Sequence, residues 1–154
     1  MKITLRSTAE DLGYVGVNDR GQVARFSGSK AAVSPMEHVL MAAAACSAID
    51  VELFLRKMRA PAQRVEVDAE AERAEGPPAV FTRMHLHYRI FGHDVKDSKA
   101  AKAVALSMDQ YCSVSLMLRA SVAVTHSYEV LGPGGGGGDA ATAPIPTPPP
   151  RSAP

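Results

Sequence analysis

A chain of 154 residues with 17 basic and 16 acidic side chains and a net charge of +1 has room for one main folded domain. It carries no cationic run, which argues against nucleic acid or an anionic membrane surface as a principal partner. Its two cysteines cannot frame a disulfide scaffold. In a reducing compartment they are either buried filler or redox chemistry.

Residues 2–7 alternate weakly, with Ile3 and Leu5 on one side, and predict a strand. The apolar run there is too short for a signal peptide. No apolar segment of about 18 residues is read in the chain, so a cytoplasmic protein outside the membrane is expected. Tyr14, Val15 and Val17 lead into the turn signal Asn18-Asp19-Arg20-Gly21, and Val23 to Phe26 return as a second strand.

Loop 27–33 delivers the chain to a long helix with an explicit start. Ser34 can cap the orphan amides, Pro35 suits the first helical position, and Glu37 completes an S-x-x-E capping box. Met36, Val39, Leu40, Ala43, Cys46, Ile49, Leu53 and Phe54 follow near the spacing of one helical face. Alanines 42–45 make the helix apolar on nearly every side before Cys46. The helix should run to about Arg59, where Ala60-Pro61 stops it. Such a rod needs cover on more than one side, and a second copy of the chain, in an intertwined homodimer with a large apolar interface, is expected to supply it.

Val65, Val67, Ala69 and Ala71 then alternate with Glu66, Asp68, Glu70 and Glu72, a half-exposed strand with an acidic outer face. After the turn Gly76-Pro77-Pro78, residues 80–91 return with Val80, Thr82, Met84, Leu86, Tyr88 and Ile90 on one face. Arg83, His85, His87 and Arg89 on the other set a basic row against the acidic one. A metal reading of His85-x-His87 lacks a third ligand. Residues 94–111 predict a second helix with Ala101, Val104, Met108 and Tyr111 inward. Residues 112–118 form a third helix or a continuation, and Val122, Val124, His126, Tyr128 and Val130 a last strand, with His126 and Tyr128 as satisfied core residues. Hairpins rather than crossovers join most strands, which defines an α+β class. From Gly132 glycine and proline dominate, so residues 132–154 are expected to be a disordered tail behind a domain of residues 1–131.

The run Ser34-Pro35-Met36-Glu37-x-Val39-Leu40-Met41-Ala42-Ala43-x-x-Cys46-Ser47-Ala48-Ile49-Asp50-Val51 resembles the OsmC/Ohr family of osmotically inducible and organic-hydroperoxide-resistance proteins. So do Tyr111-Cys112-Ser113-Val114-x-Leu116-Met117-Leu118 and Thr125-His126-Ser127-Tyr128-Glu129-Val130, most of all in the YhfA-like branch. The resemblance spans about residues 2–131. It implies antiparallel sheets wrapped around a long buried central helix in an intertwined homodimer. It also implies reduction of organic hydroperoxides by a cysteine pair, Cys46 as peroxidatic and Cys112 as resolving residue. The reductant would be an external thiol, with no cofactor and no metal.

The thiolate is the attacking species, and Cys46 lies too deep in its helix for the N-terminal dipole to help. Asp50, one turn on, would raise its pKa. Cys112, if it starts a helix, has amides to stabilise its own thiolate. The resemblance implies an arginine from the loop before the central helix, held by a glutamate. Arg25, in Arg25-Phe26-Ser27-Gly28-Ser29-Lys30, matches best and Arg20 second. Met36 stands where the family's active branches carry the glutamate, and Glu37 lies one position later, about 100° around the helix. Met36, Val39 and Met41 are the expected lining of an apolar hydroperoxide pocket. The alternative is a non-catalytic protein binding a small apolar ligand at the dimer interface. A third reading is a redox-responsive protein whose disulfide changes a partner surface.

Overall fold

The computed structural model describes residues 1–133. The expected tail therefore lies, from residue 134 on, outside the described residues. Three strands, β1 (Ile3–Ser7), β2 (Gly13–Asn18) and β3 (Val23–Ser27), form an antiparallel meander. Asn18 closes the second turn: its Oδ1 accepts from the N–H groups of Arg20 at 2.9 Å and Gln22 at 3.0 Å. Gly21 takes a φ of +78°, a left-handed value that costs glycine nothing. This sheet packs little against the rest of the described chain. Ile3, Leu5 and Val23 remain 64%, 50% and 61% exposed. With Val17, Ala24 and Phe26 they line an apolar hollow of about 270 Å³.

The long helix, α1 (Pro35–Lys57), begins as its sequence specifies. Ser34 Oγ accepts from the Glu37 N–H at 3.3 Å, and Glu37 Oε2 accepts from the Ser34 N–H at 2.8 Å. Replacing Ser34 by Ala removes one of these bonds and should lower the unfolding free energy by about 1 kcal/mol, read by urea denaturation. The helix also corrects the reading of the chain as lacking a long apolar segment. Pro35–Lys57 contains a window of mean hydropathy 1.6, long and apolar enough to cross a membrane. Here it is instead the core helix of a packed domain, lying over β4 (Arg64–Arg73) and α2 (Asp97–Leu106).

Its buried face differs from the expected stripe. Ala43, Ser47, Val51 and Leu55 form a fully buried ridge at four-residue spacing, whereas Ile49 is 61% and Leu53 45% exposed. Four-residue spacing follows an i±4 ridge, the one that seats in the groove of a neighbouring element. Cys46 and Asp50 flank that ridge, half-buried.

The second sheet holds the core. β4 pairs antiparallel with β5 (Phe81–Phe91), which sets Glu66 opposite Arg89, Asp68 opposite His87, Glu70 opposite His85 and Glu72 opposite Arg83. The arginines make the expected ion pairs, Arg83 with Glu72 at 2.8 Å and Arg89 with Glu66 and Asp68 at 3.2 and 3.1 Å. The histidines turn the other way, to β6 (Ala123–Leu131). His85 lies 2.8 Å from both Thr125 Oγ1 and Ser127 Oγ, and His87 2.8 Å from Ser127 Oγ. On the inner face Met84, Leu86, Tyr88 and Ile90 are buried, while Val80 falls outside the strand and stays exposed.

β6 pairs with β5 in parallel, so one of the two pairings in this sheet departs from the expected antiparallel arrangement. A parallel neighbour requires a crossover. It is made by α2, a π-helical turn (Ser107–Tyr111) and α3 (Ser113–Leu118). The expected helix of residues 94–111 is therefore shorter and ends in a wider turn. Ser107 continues the buried stripe of Ala100, Ala103 and Val104, and past the wide turn Tyr111 faces outward, 56% exposed.

Candidate active site

α1 and the π-helical turn bring together two cysteines 66 positions apart in the sequence. Cys46 and Asp50 are one turn apart on α1, and Cys112 is fully buried at the N-cap of α3. The Cys46 and Cys112 sulfurs and an Asp50 carboxylate oxygen all lie within 4.8 Å of one another. Both thiols are free. A disulfide needs the sulfurs near 2.05 Å, so they must approach further before they can bond.

The backbone of the wide turn fixes this meeting. The Cys112 N–H donates to the Ser107 carbonyl oxygen at 2.8 Å, the five-residue bond of a π turn. The Ser107 hydroxyl reaches α1, 3.2 Å from both the Ser47 carbonyl oxygen and Asp50 Oδ2. Cys112 Sγ lies 3.2 Å from Ser115 Oγ and accepts from the Ser115 N–H at 3.5 Å. Tyr88 closes the floor. Its hydroxyl donates to Met108 Sδ at 3.1 Å, and burial pushes its pKa up to about 12.

Burial also pushes the Cys112 thiol up; the Ser115 hydrogen bonds pull the other way without offsetting it, and neighbouring Cys46 adds to the rise. The Ser115 amide at the helix start does favour the Cys112 thiolate, in the expected direction, but desolvation outweighs it. No arginine or lysine is an ion-pair or hydrogen-bond partner of Cys46, Asp50 or Cys112 among the described residues.

The other expected site residues stand outside this cluster. Arg25 is exposed on β3 and makes no ion pair among the described residues. Arg20 sits in the preceding turn with Nε 3.2 Å from Gln22 Oε1. The Glu37 carboxylate is engaged by Ser34, whose hydrogen bonds hold its pKa below the usual carboxylate value. Phe26 stacks on His38 with ring centroids 4.1 Å apart, the contact that ties β3 to the start of α1.

Beside that contact is an open cleft of about 970 Å³, lined among others by Lys30, Met36, Leu40, Ala71, Arg73 and Phe81. Of the expected pocket residues only Met36 lines it: Val39 packs on the core and Met41 is 54% exposed. His126 is half-buried, and burial lowers its pKa; Tyr128 donates to Asp97 Oδ2 at 3.2 Å. Ser47, Tyr88 and Ser107 are site residues the sequence reading passes over. The signal available was a serine three positions before Asp50 in a helix otherwise filled with alanine, and another five before Cys112.

This fold and this cysteine pair define the class: the chain belongs to the OsmC-like protein family, whose pattern matches residues 27–127. It is similar to protein YhfA of Escherichia coli (strain K12), 46% identical over 124 residues that cover 79% of this chain and 92% of that protein. A hypothetical protein from Aquifex aeolicus VF5 superposes with a TM-score of 0.78 at 25% identity, over 85% of this chain and 96% of that one. An organic hydroperoxide resistance protein OsmC from Legionella pneumophila shares the fold at a TM-score of 0.65 and 17% identity, over 84% of this chain and 98% of that one.

Proposed function

We propose that the protein is a thiol-dependent peroxidase for organic hydroperoxides, acting in oxidative-stress defence. The observation that carries this reading is the approach of Cys46 Sγ and Cys112 Sγ to within 4.8 Å inside a family fold. The Cys46 thiolate attacks the terminal peroxide oxygen, the O–O bond breaks, and the alkoxide takes up a proton and leaves as an alcohol. Cys112, whose thiol is held neutral by burial, loses its proton as it attacks the Cys46 sulfenic acid. An S–S bond forms, water leaves, and an external dithiol returns both thiols by exchange. In this scheme Arg25, which lies outside the cluster in the single chain, is the candidate cation for the Cys46 thiolate, and Glu37 stays with the helix cap.

A second copy of the chain completes the molecule. Met41, Ile49 and Leu53 on α1 and Ile3, Leu5 and Val23 on the first sheet are exposed apolar surface in one chain, and their burial against a partner makes a homodimer. The reading places the protein in a reducing cytoplasm, where thiols are regenerated. Reduced protein mixed with equimolar cumene hydroperoxide should lose both free thiols and yield a Cys46–Cys112 disulfide in a peptide map. Thiols that titrate unchanged would sink the peroxidase reading.

The cleft at Met36, Leu40 and Phe81 favours a second reading, a non-catalytic holder of a small apolar ligand. A co-purified lipid-like mass with no hydroperoxide consumption would select it.

A further inference from the structure

Asp50 is the residue that peroxide chemistry does not use. A carboxylate beside two thiols makes either thiolate harder to form, yet Asp50 is held in place by the Ser107 hydroxyl at 3.2 Å. With both thiols ionised the cluster would carry three negative charges, and no lysine or arginine is bonded to any of its members among the described residues. Three donors of this kind, with no lysine or arginine bonded to them among the described residues, suit a metal ion.

The geometry points to a binding site for a divalent cation of the zinc type made by Cys46 Sγ, Asp50 carboxylate oxygen and Cys112 Sγ, and we propose that the reduced protein binds such an ion there. Tetrahedral zinc takes thiolate at roughly 2.3 Å and carboxylate at roughly 2.0–2.2 Å, which sets ligand atoms roughly 3.5–3.8 Å apart. Donor atoms already within 4.8 Å of one another need only small rotations to close on it. Cys46 and Asp50 stand one helical turn apart, the spacing at which one helix offers two ligands from the same face. The supports a ligand set requires are also present, Ser107 on Asp50 and the Ser115 hydroxyl and amide on Cys112. Two sulfurs and one oxygen select zinc or cobalt over calcium or magnesium.

Binding exchanges two thiol protons for one dication, with no change of oxidation state. The disulfide form has no thiolate to offer, so the ion and the oxidant compete for the same two sulfurs. The site shares residues with the proposed peroxidase but does not depend on that activity.

The full-length reduced chain, freed of metal, should develop a thiolate-to-cobalt charge-transfer band and tetrahedral cobalt absorption with Co2+. Both should saturate at one ion per chain, disappear when Zn2+ is added, and fail to form in the disulfide protein. Cys46→Ser and Cys112→Ser should each lose about half of the charge-transfer intensity. Asp50→Asn should weaken Zn2+ binding about tenfold or more with both thiols still titratable. Calorimetry in buffers of different ionisation enthalpy should show proton release on Zn2+ binding to the wild-type chain, a readout that stands even where Asp50→Asn does not fold. Absence of the charge-transfer band, its persistence at full strength in Cys112→Ser, or Zn2+ binding without proton release would overturn the site. A chain that ignores hydroperoxide yet binds cobalt through its thiolates removes only the peroxidase reading, and the converse result removes only the metal site.

Discussion

Cys46→Ser should abolish dithiol-dependent reduction of a bulky alkyl hydroperoxide, while Cys112→Ser should complete a single turnover and stop. The split follows from the unequal positions of the two sulfurs. Cys46 is half-buried on the flank of α1, whereas Cys112 is wholly enclosed and its thiol held neutral by burial. In the proposed cycle the half-buried thiol would meet the peroxide and the enclosed one only the sulfenic acid beside it. Loss of the nucleophile should lower kcat/KM by on the order of 10³-fold or more. Loss of the resolving thiol should instead leave a sulfenic acid that a dimedone-type reagent traps on Cys46. A Cys46→Ser variant turning over at the wild-type rate, or a Cys112→Ser variant cycling freely, would contradict the assignment of the roles.

The second large effect is expected at the uncovered side of α1. Wild-type protein should be a dimer by light scattering at micromolar concentration, and Ile49→Asp should convert it to monomer. Ile49 is 61% exposed in the single chain, on the side of the helix away from the Ala43, Ser47, Val51 and Leu55 ridge, with Leu53 one turn on. Burying an isoleucine against a partner is worth about 1.5–3 kcal/mol. Placing an unpaired carboxylate there instead adds a desolvation cost of several kcal/mol. Because Ile49 does not touch the chain's own buried ridge, the substitution should spare the fold, read by circular dichroism. A monomeric wild type would remove the homodimer, and an unaffected dimer would place the interface elsewhere.

Much of this architecture was legible in the residues, for identifiable reasons. Ser34, Pro35 and Glu37 act within one helical turn, so a local pattern sufficed to place the start of α1. Val65 to Ala71 and Met84 to Ile90 alternate strictly, and alternation has one simple solution, a strand with one buried face. The rest depended on partners distant in sequence. Which face of α1 is buried was decided by β4 and α2, and the apolar stripe alone could not separate the chain's own core from surface left for another chain. The parallel pairing of β6 and the choice of His85 and His87 for Thr125 and Ser127 over Asp68 and Glu70 required knowing which strand lies on the other side of β5. Cys46 and Cys112 stand out through the family resemblance of the runs around them, and the fold brings their sulfurs together. The support of Asp50 by Ser107 could not be read, since it rests on a turn wider than the α-helical period.

That turn makes the cysteine meeting a matter of chain count. In a regular α-helix residues five apart point about 140° away from each other, so Ser107 and Cys112 could not both face α1. Five residues in one wide turn align them, and the Cys112 N–H to Ser107 carbonyl bond locks the alignment. Of the residues in between that face solvent, Asp109 pairs with Arg119 at 3.2 Å and Tyr111 meets the Phe54 ring edge-on at 5.0 Å, contacts that sit beside the site and not in it. The number of these residues, more than their identities, sets the register of the two cysteines. A deletion of one of them would leave every donor atom of the site in the sequence and still dissolve the site, by turning Cys112 out of register with Cys46.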